Sequence, residues 1–203
     1  MTAPIPNTAT RIVDAAMQLF GEKGYGSTSV ADILAAANAN SGSLYHAFPT
    51  KQDVLIAVLR RYLEGIWPML LAPAWEGVAD PVERIFALLD RYRELLKITD
   101  CSFGCPIGSL ALEIHEPDPP VRALLAANFE AWVAAVRTCL DAAANRFPPE
   151  VDRQGLAQLV LSVMEGGVMQ ARTHRNLASF DAGVTALRHY FRLLERQARG
   201  LRP

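Results

Sequence analysis

Ser29 to Lys51, SVADILAAANANSGSLYHAFPTK, constrains the fold of this chain more than any other stretch, because its local signals prescribe two short helices and the turn between them. Ser29 caps a first helix, and Asp32 at the third position completes a capping-box pair. Val30, Ile33 and Leu34 recur at spacings of three and four, which gives that helix one apolar face. Asn38 follows an alanine run and tolerates left-handed backbone angles, so it ends the helix where glycine more often stands. Asn40 is an N-cap for a second helix from Ser41 to Ala47. Phe48 precedes Pro49, which pushes it out of helical angles and stops that helix. Such a layout is a helix-turn-helix, whose second member enters the DNA major groove.

The side chains of the second helix suit that use. Ser41, Gly42 and Ser43 are small, so the start of the helix can approach phosphates and base edges, and its free N–H groups favour anions. Tyr45 and His46 carry polar tips on flat rings, fitted to a phosphate oxygen or a base edge. Leu44 and Phe48, four apart, hold the helix against the rest of its domain. Lys51 opens the next helix, within reach of a phosphate.

The stretch resembles the DNA-binding domain of the TetR family of bacterial transcription regulators. The residues that carry the resemblance are Gly24-Tyr25, Thr28-Ser29-Val30 with Asp32-Ile33, the run Gly42-Ser43-Leu44-Tyr45-His46-Ala47-Phe48-Pro49, and Lys51. It covers residues 6–66 by motif and the remainder by helix layout. The resemblance implies phosphate contacts at Thr28, Tyr45 and Lys51, and groove-facing positions at Asn40, Ser41, Gly42, Ser43 and His46. It further implies operator DNA as partner, a two-fold homodimer and repression relieved by a small molecule. Two departures stand out: Ser41 replaces a frequent Lys or Arg, and Asn38 and Asn40 replace the usual Gly and Ser or Thr.

Charge sets a second expectation. Through Glu64 the basic residues are Arg11, Lys23, Lys51, Arg60 and Arg61, and the acidic ones Asp14, Glu22, Asp32, Asp53 and Glu64, five against five. A DNA-binding domain is more often basic, and few phosphate-neutralising cations imply a shallow salt dependence. The chain as a whole is 51% hydrophobic and 20% charged, ordinary values for a soluble globular protein. No uninterrupted apolar run approaches the ~20 residues of a membrane span. MTAPIPNTATR lacks a basic region followed by an apolar one, so no signal peptide and no membrane partner are expected. The cysteines, Cys101, Cys105 and Cys139, are too few for a disulfide scaffold. A cytoplasmic protein fits these features.

Taken in order, Met1–Pro6 reads as a loose arm. A first helix capped at Asn7 or Thr8 carries Ile12, Val13, Ala16, Leu19 and Phe20 on one face and ends at Gly24. Thr50 and Asp53 cap a long helix bearing Val54, Leu55, Val58, Leu59 and Tyr62. From Trp67 to Pro81 the helical period fails at Pro68, Pro73, Gly77 and Pro81. Asp80-Pro81 starts a clean helix whose buried stripe is Ile85, Leu88, Leu89, Tyr92 and Leu96. A loop from Thr99 to Pro106, a short helix to Ile114, a break at 116–120 and a long helix behind Asp118 follow. Two last helices run about Asp152–His174 and Asp181–Arg199. No strand signal rises above this pattern. The fold expected is all-α: an N-terminal three-helix helix-turn-helix head over 6–66, joined by a long helix to a larger body over 67–203 for ligand binding and dimerisation.

The apolar faces of the body serve two competing uses. Val163, Gly167, Val168, Leu187, Tyr190 and Phe191 supply either a dimer seam, as the resemblance implies, or an intramolecular core. Trp67, Tyr92, Phe103, Trp132, Met164 and Met169, with His115 as a polar handle, line a pocket for an apolar or aromatic effector, or are plain core. Cys101 and Cys105 flank a three-residue loop, so at least one is expected to be exposed. The run from Phe103 to Glu113 is similar to a segment in family members that sense electrophiles through cysteine, which makes redox sensing the alternative mechanism. A small buried hydrophobe is the plainer role for either cysteine.

Gly-x-Ser-x-Gly, P-loop, His-Glu-x-x-His and dinucleotide motifs are all missing, and a single Cys-x3-Cys lacks the second pair of a structural zinc site. No enzyme, cofactor or metal is therefore expected. The rival reading is a helical small-molecule-binding protein that does not use DNA, and only the neutral head favours it.

Overall fold

The computed structural model describes residues 7–200; the Met1–Pro6 arm lies outside them. Among the described residues there are helices and no strands. They form two compact units: one holds the chain up to Glu64 together with Pro106–Asn128, the other Gly65–Cys105 and the chain from Phe129 onward.

The first unit starts with α1 (Thr8–Lys23), α2 (Val30–Ala37) and α3 (Ser41–Ala47), followed by α4 (Lys51–Gly65). Each start is made by a side chain one to three residues away. Asn7 accepts from Thr10 N at 2.8 Å, and Ser29 and Asp32 close a full capping box. Asn40 accepts from Ser43 N at 2.8 Å, and Thr50 and Asp53 exchange bonds at 2.9 and 3.2 Å. Asn38 ends α2 at φ 47°, in the left-handed region. Ile12, Ala16, Phe20, Ile33 and Leu44, on the mutually packed α1, α2 and α3, are buried, as are Val54, Leu55, Val58 and Leu59 of α4. Val30 and Phe48 are half-buried at the edge of this core.

α7 (Pro106–Glu113) and the first part of α8 (Pro119–Ala142) belong to this unit. Asn128, buried in mid-helix, donates to Leu59 O at 3.1 Å and to Leu124 O at 2.8 Å, so its amide is satisfied. Compactness thus divides the chain differently from a boundary at 66/67. Periodicity reports which residues share a helix face, not which distant helix that face meets. α8 is long and apolar enough, by length and mean hydropathy, to cross a membrane. A helix buried on more than one side in a protein interior shows the same pattern.

The second unit corrects one expectation. Helical structure does not fail after Trp67: a π-helical turn (Ile66–Leu71) leads into α5 (Ala72–Trp75). A proline inside an α-helix loses one hydrogen bond and clashes with the carbonyl four residues back. The wider π turn, closed by Ala72 N donating to Trp67 O, absorbs Pro68. Pro73 falls in the first turn of α5, where its missing N–H costs little.

α6 (Pro81–Ile98) starts as expected, with Asp80 accepting from Val82 N and Glu83 N at 2.8 and 2.9 Å. α9 (Arg153–His174) and α10 (Ala178–Ala198) pack against each other and against α6. α10 begins three residues before the sequence suggests, because Asn176 Oδ1 accepts from Ala178 N at 3.0 Å. Phe191 contacts Phe86 and Phe147 edge-on, with ring centroids 5.3 and 5.8 Å apart. On the rim, Arg93 pairs with Asp181 through two hydrogen bonds, at 2.7 and 3.0 Å, and Arg188 pairs with Glu83.

Candidate DNA-reading surface and buried polar cluster

α3 has one buried side and one open side. Leu44 is fully buried and anchors the helix, whereas Asn40, Ser41, Gly42, Tyr45 and His46 are exposed and Ser43 is half-buried. The expected groove-facing residues therefore come together on one surface. The turn before them is held rigid by Arg11, whose Nε donates to Ala37 O at 3.1 Å and whose Nη2 reaches Asn38 O at 3.4 Å. A guanidinium on the last carbonyls of a helix is a favourable C-terminal cap. The brace spans 26 residues of sequence, so nothing local to Arg11 marks it.

Thr28 is corrected. It is fully buried, and its hydroxyl donates to Gly24 O at 2.7 Å, so it ties the loop before α2 and offers nothing to a phosphate. Lys51 is half-committed: Nζ donates to Tyr25 O at 2.5 Å and lies 4.2 Å from the centre of the Tyr25 ring. Burial lowers its pKa, and attraction to Glu113 works the other way. Lys23 sits 3.9 Å from Asp32. Three of the five basic residues of the head are thus occupied within the protein, which deepens the shortage of phosphate-neutralising charge.

In the second unit the expected pocket residues separate. Tyr92 and Trp132 meet at 6.4 Å between ring centroids, and Met164 is buried. Phe103 is partly exposed, and Met169 points away from the core at 54% exposure. Trp67, 59% exposed, packs on Trp75 and lines an open groove of about 520 Å3 with Pro73, Glu76 and Arg84. His115 is exposed in the first unit, so it is no handle in a buried pocket.

Glu165, which sequence reading did not single out, supplies the polar group instead. It stands next to Met164 on α9, in electrostatic reach of Tyr92 and with the Cys105 thiol acting on its carboxyl. Its Oε1 is buried and makes no hydrogen bond among the described residues; the same holds for Trp132 Nε1. Burial pushes the Tyr92 phenol well above its usual range, with the negative charge of its neighbours adding to the effect. Burial also raises the Glu165 carboxyl, and the thiol contact opposes it. Two buried polar atoms of this cluster thus have no hydrogen-bond partner among the described residues.

The raised pKa of Glu165 makes stability depend on pH. A carboxyl whose folded pKa is raised contributes stability that is complete below its unfolded pKa and is lost as pH rises through the folded value. Glu165→Gln is therefore expected to raise the melting temperature at pH 7 to 8, the gain vanishing below about pH 4. Thermal unfolding of both proteins at those two pH values checks this; equal melting temperatures at neutral pH would show that Glu165 is not strained.

Both loop cysteines are buried, Cys101 at 4% exposure and Cys105 at 7%, which corrects the expectation that one is open to solvent. Cys105 does border the start of α7.

A compact helix-turn-helix that exposes small and polar side chains on a pinned second helix defines a DNA-binding transcription regulator. Residues 12–58 match the family described as bacterial regulatory proteins, tetR family, and residues 81–185 match the transcriptional regulator LmrA/YxaF-like C-terminal domain. The chain belongs to the TetR family of transcriptional regulators. It is similar to the uncharacterised HTH-type regulator Rv0196 of Mycobacterium tuberculosis, at 33% identity over 84% of this chain and 87% of that one. It is also similar to YxaF of Bacillus subtilis, at 30% identity over 82% and 85%. Its fold superposes on the crystal structure of a TetR regulatory protein from Rhodobacter sphaeroides with a TM-score of 0.79 and 24% identity, covering 89% of this chain and 96% of that one.

Proposed function

We propose that this regulator is a cytoplasmic homodimeric repressor, with a DNA-reading domain over 6–66 and an effector-binding and dimerisation domain over 67–203. A small molecule bound in the body releases it from operator DNA. The observation that carries the DNA part is the face of α3, where Asn40, Ser41, Gly42, Tyr45 and His46 stand open around the buried anchor Leu44. Tyr45→Ala is expected to weaken binding by about 1–2 kcal/mol on every duplex tested, as a lost phosphate contact does. His46→Ala is expected to relax discrimination at one base position by about 1–3 kcal/mol. Fluorescence anisotropy with the protein's own upstream intergenic DNA and with random duplex measures both. Each neutralised phosphate adds about −0.9 to the slope of log K against log salt, so a shallow slope of about −2 to −4 is expected for a dimer. Equal, negligible binding to both duplexes at low salt favours the rival reading without DNA.

The effector site proposed is the cluster of Tyr92, Trp132, Met164 and Glu165. Apolar rings and a thioether favour a largely apolar or aromatic molecule. The unsatisfied Glu165 oxygen and Trp132 N–H favour one that also carries a hydrogen-bond donor and an acceptor. Native mass spectrometry of the purified protein, before and after denaturation, names the chemical class of any co-purified molecule. The burial of Cys101 and Cys105 favours this reversible site over covalent sensing: a thiol-directed reagent should release DNA no faster from wild type than from the Cys101→Ser/Cys105→Ser variant.

The dimer face proposed is the outer side of α9. Leu159, Ser162, Gly166, Met169 and Thr173 recur there at spacings of three and four, away from the core stripe, and Leu159 and Met169 are exposed. Tyr190, 43% exposed on α10, extends it. Of the seam expected from sequence, Gly167, Val168, Leu187 and Phe191 are instead buried in the protomer's own α9–α10 packing. A Cβ at Gly167 would come within 3.2 Å of the Phe180 backbone, so that glycine serves the contact between α9 and α10.

A further inference from the structure

Glu113 is the last residue of α7, at the negative end of the helix dipole, where an acidic side chain is locally unfavourable. Its use lies elsewhere in the first unit. The carboxylate accepts from Tyr25 N at 2.9 Å and from Gly26 N at 2.6 Å, in the loop between α1 and α2, across 88 and 87 residues of sequence. Successive backbone N–H groups turned toward one anion make a nest, and hydrogen bonds to a charged acceptor are the stronger kind.

The loop is built around this contact. A Cβ on Gly24 or on Gly26 would stand 3.0 Å from a Glu113 oxygen, and Gly24 also has φ 85°, in the region that favours glycine. Lys51, at the start of α4, grips the same loop through Tyr25 O and the Tyr25 ring and is attracted to Glu113. Two residues beyond Gly26, Thr28 ties back to Gly24 O, and Ser29 caps α2. One carboxylate therefore holds the segment that sets where α2 begins, and α2 leads through the braced turn into α3.

We propose that Glu113 is a positioning residue for DNA recognition: its carboxylate latches the α1–α2 loop to α7 and so holds α2 and α3 in their DNA-reading arrangement. Release of this latch disorders the loop and lowers operator affinity. The inference rests on the DNA-binding function and is independent of which molecule serves as effector.

The test uses the full chain and its upstream intergenic DNA, with Glu113→Gln, Glu113→Asp, Gly26→Ala and the Glu113→Gln/Gly26→Ala double variant. Affinity is read by anisotropy, loop order by amide exchange at Tyr25 and Gly26, and folding by the melting temperature. Glu113→Gln keeps one acceptor but turns an NH2 toward a backbone N–H, so affinity should fall roughly tenfold while the protein stays folded. Exchange at Tyr25 and Gly26 should quicken by a similar factor. Glu113→Asp keeps the charge on a shorter stem and should recover part of both. Gly26→Ala crowds the same oxygen and should weaken binding alone, yet add nothing once Glu113 is Gln, since the two changes break one contact. Folded Glu113→Gln with wild-type affinity and wild-type exchange overturns the latch, as do losses that add in the double variant. Should Glu113→Gln fail to fold, Gly26→Ala reads the same contact from the loop side. A wild type that ignores its upstream DNA fails the DNA-binding reading itself, and amide exchange then still decides the latch.

Discussion

Replacing Phe191 with alanine is expected to destabilise the protein by about 3–5 kcal/mol, the usual cost of deleting a buried aromatic ring. The side chain is 1% exposed and meets Phe86 on α6 and Phe147 beyond α8 edge-on, so three segments of the second unit lose a common partner at once. Arg188 lies over the Phe86 ring at 3.9 Å and braces the same cluster from outside. A loss of that size is comparable with the whole stability of many domains, about 5–15 kcal/mol. Urea titration followed by circular dichroism measures it. A loss below about 1 kcal/mol would mean that the three rings repack around the gap, against this account. The sequence alone suggested a different outcome for a change here, dissociation of a dimer. Burial of Phe191 in its own protomer makes unfolding the expected result.

A charge at Gly166 should do the reverse, splitting the proposed dimer without unfolding the protomer. The space a Cβ would take at Gly166 is open, with nothing within 4 Å, so the protomer itself accommodates a larger side chain. Gly166 lies midway along the row from Leu159 to Thr173, where a second copy of the chain would press backbone against backbone. Gly166→Glu places two like charges across the two-fold axis in a desolvated contact, which is costly. Light scattering should then report one species near 22.2 kDa. Operator affinity should fall at least about a hundredfold, since two half-sites no longer bind as one unit. A dimeric Gly166→Glu with wild-type operator affinity would remove the outer face of α9 as the interface.

What could be read in the chain beforehand sorts by distance along it. The caps at Asn7, Ser29 with Asp32, Asn38, Asn40, Thr50 with Asp53, and Asp80-Pro81 were all legible. A cap is a bargain between residues at most three or four apart, and its chemistry is written in those residues. Helix periodicity likewise named Ile12, Ile33, Leu44, Leu88 and Leu89 as inward-facing. The helix-turn-helix follows from the two kinds of signal together, and with it the exposed residues of α3.

Tertiary structure alone decided the rest. α9 has apolar residues on two sides, and only the position of α10 shows that Gly167 and Val168 face inward while Leu159 and Met169 face out. Thr28 reads as a polar surface residue until the carbonyl of Gly24 is seen beneath it. Pro68 reads as a helix breaker, whereas the chain accommodates it by widening one turn. Glu113 and Glu165 carry no local mark of their roles, because each answers to groups that another segment brings: two backbone N–H groups of the α1–α2 loop for one, the Cys105 thiol and the Tyr92 ring for the other. Local pattern determines which residues form a helix and which side of it is apolar. Which of two apolar sides is buried, and which surface polar group is spent inside the protein, depends on contacts between residues far apart in sequence, and those exist only once the chain has folded.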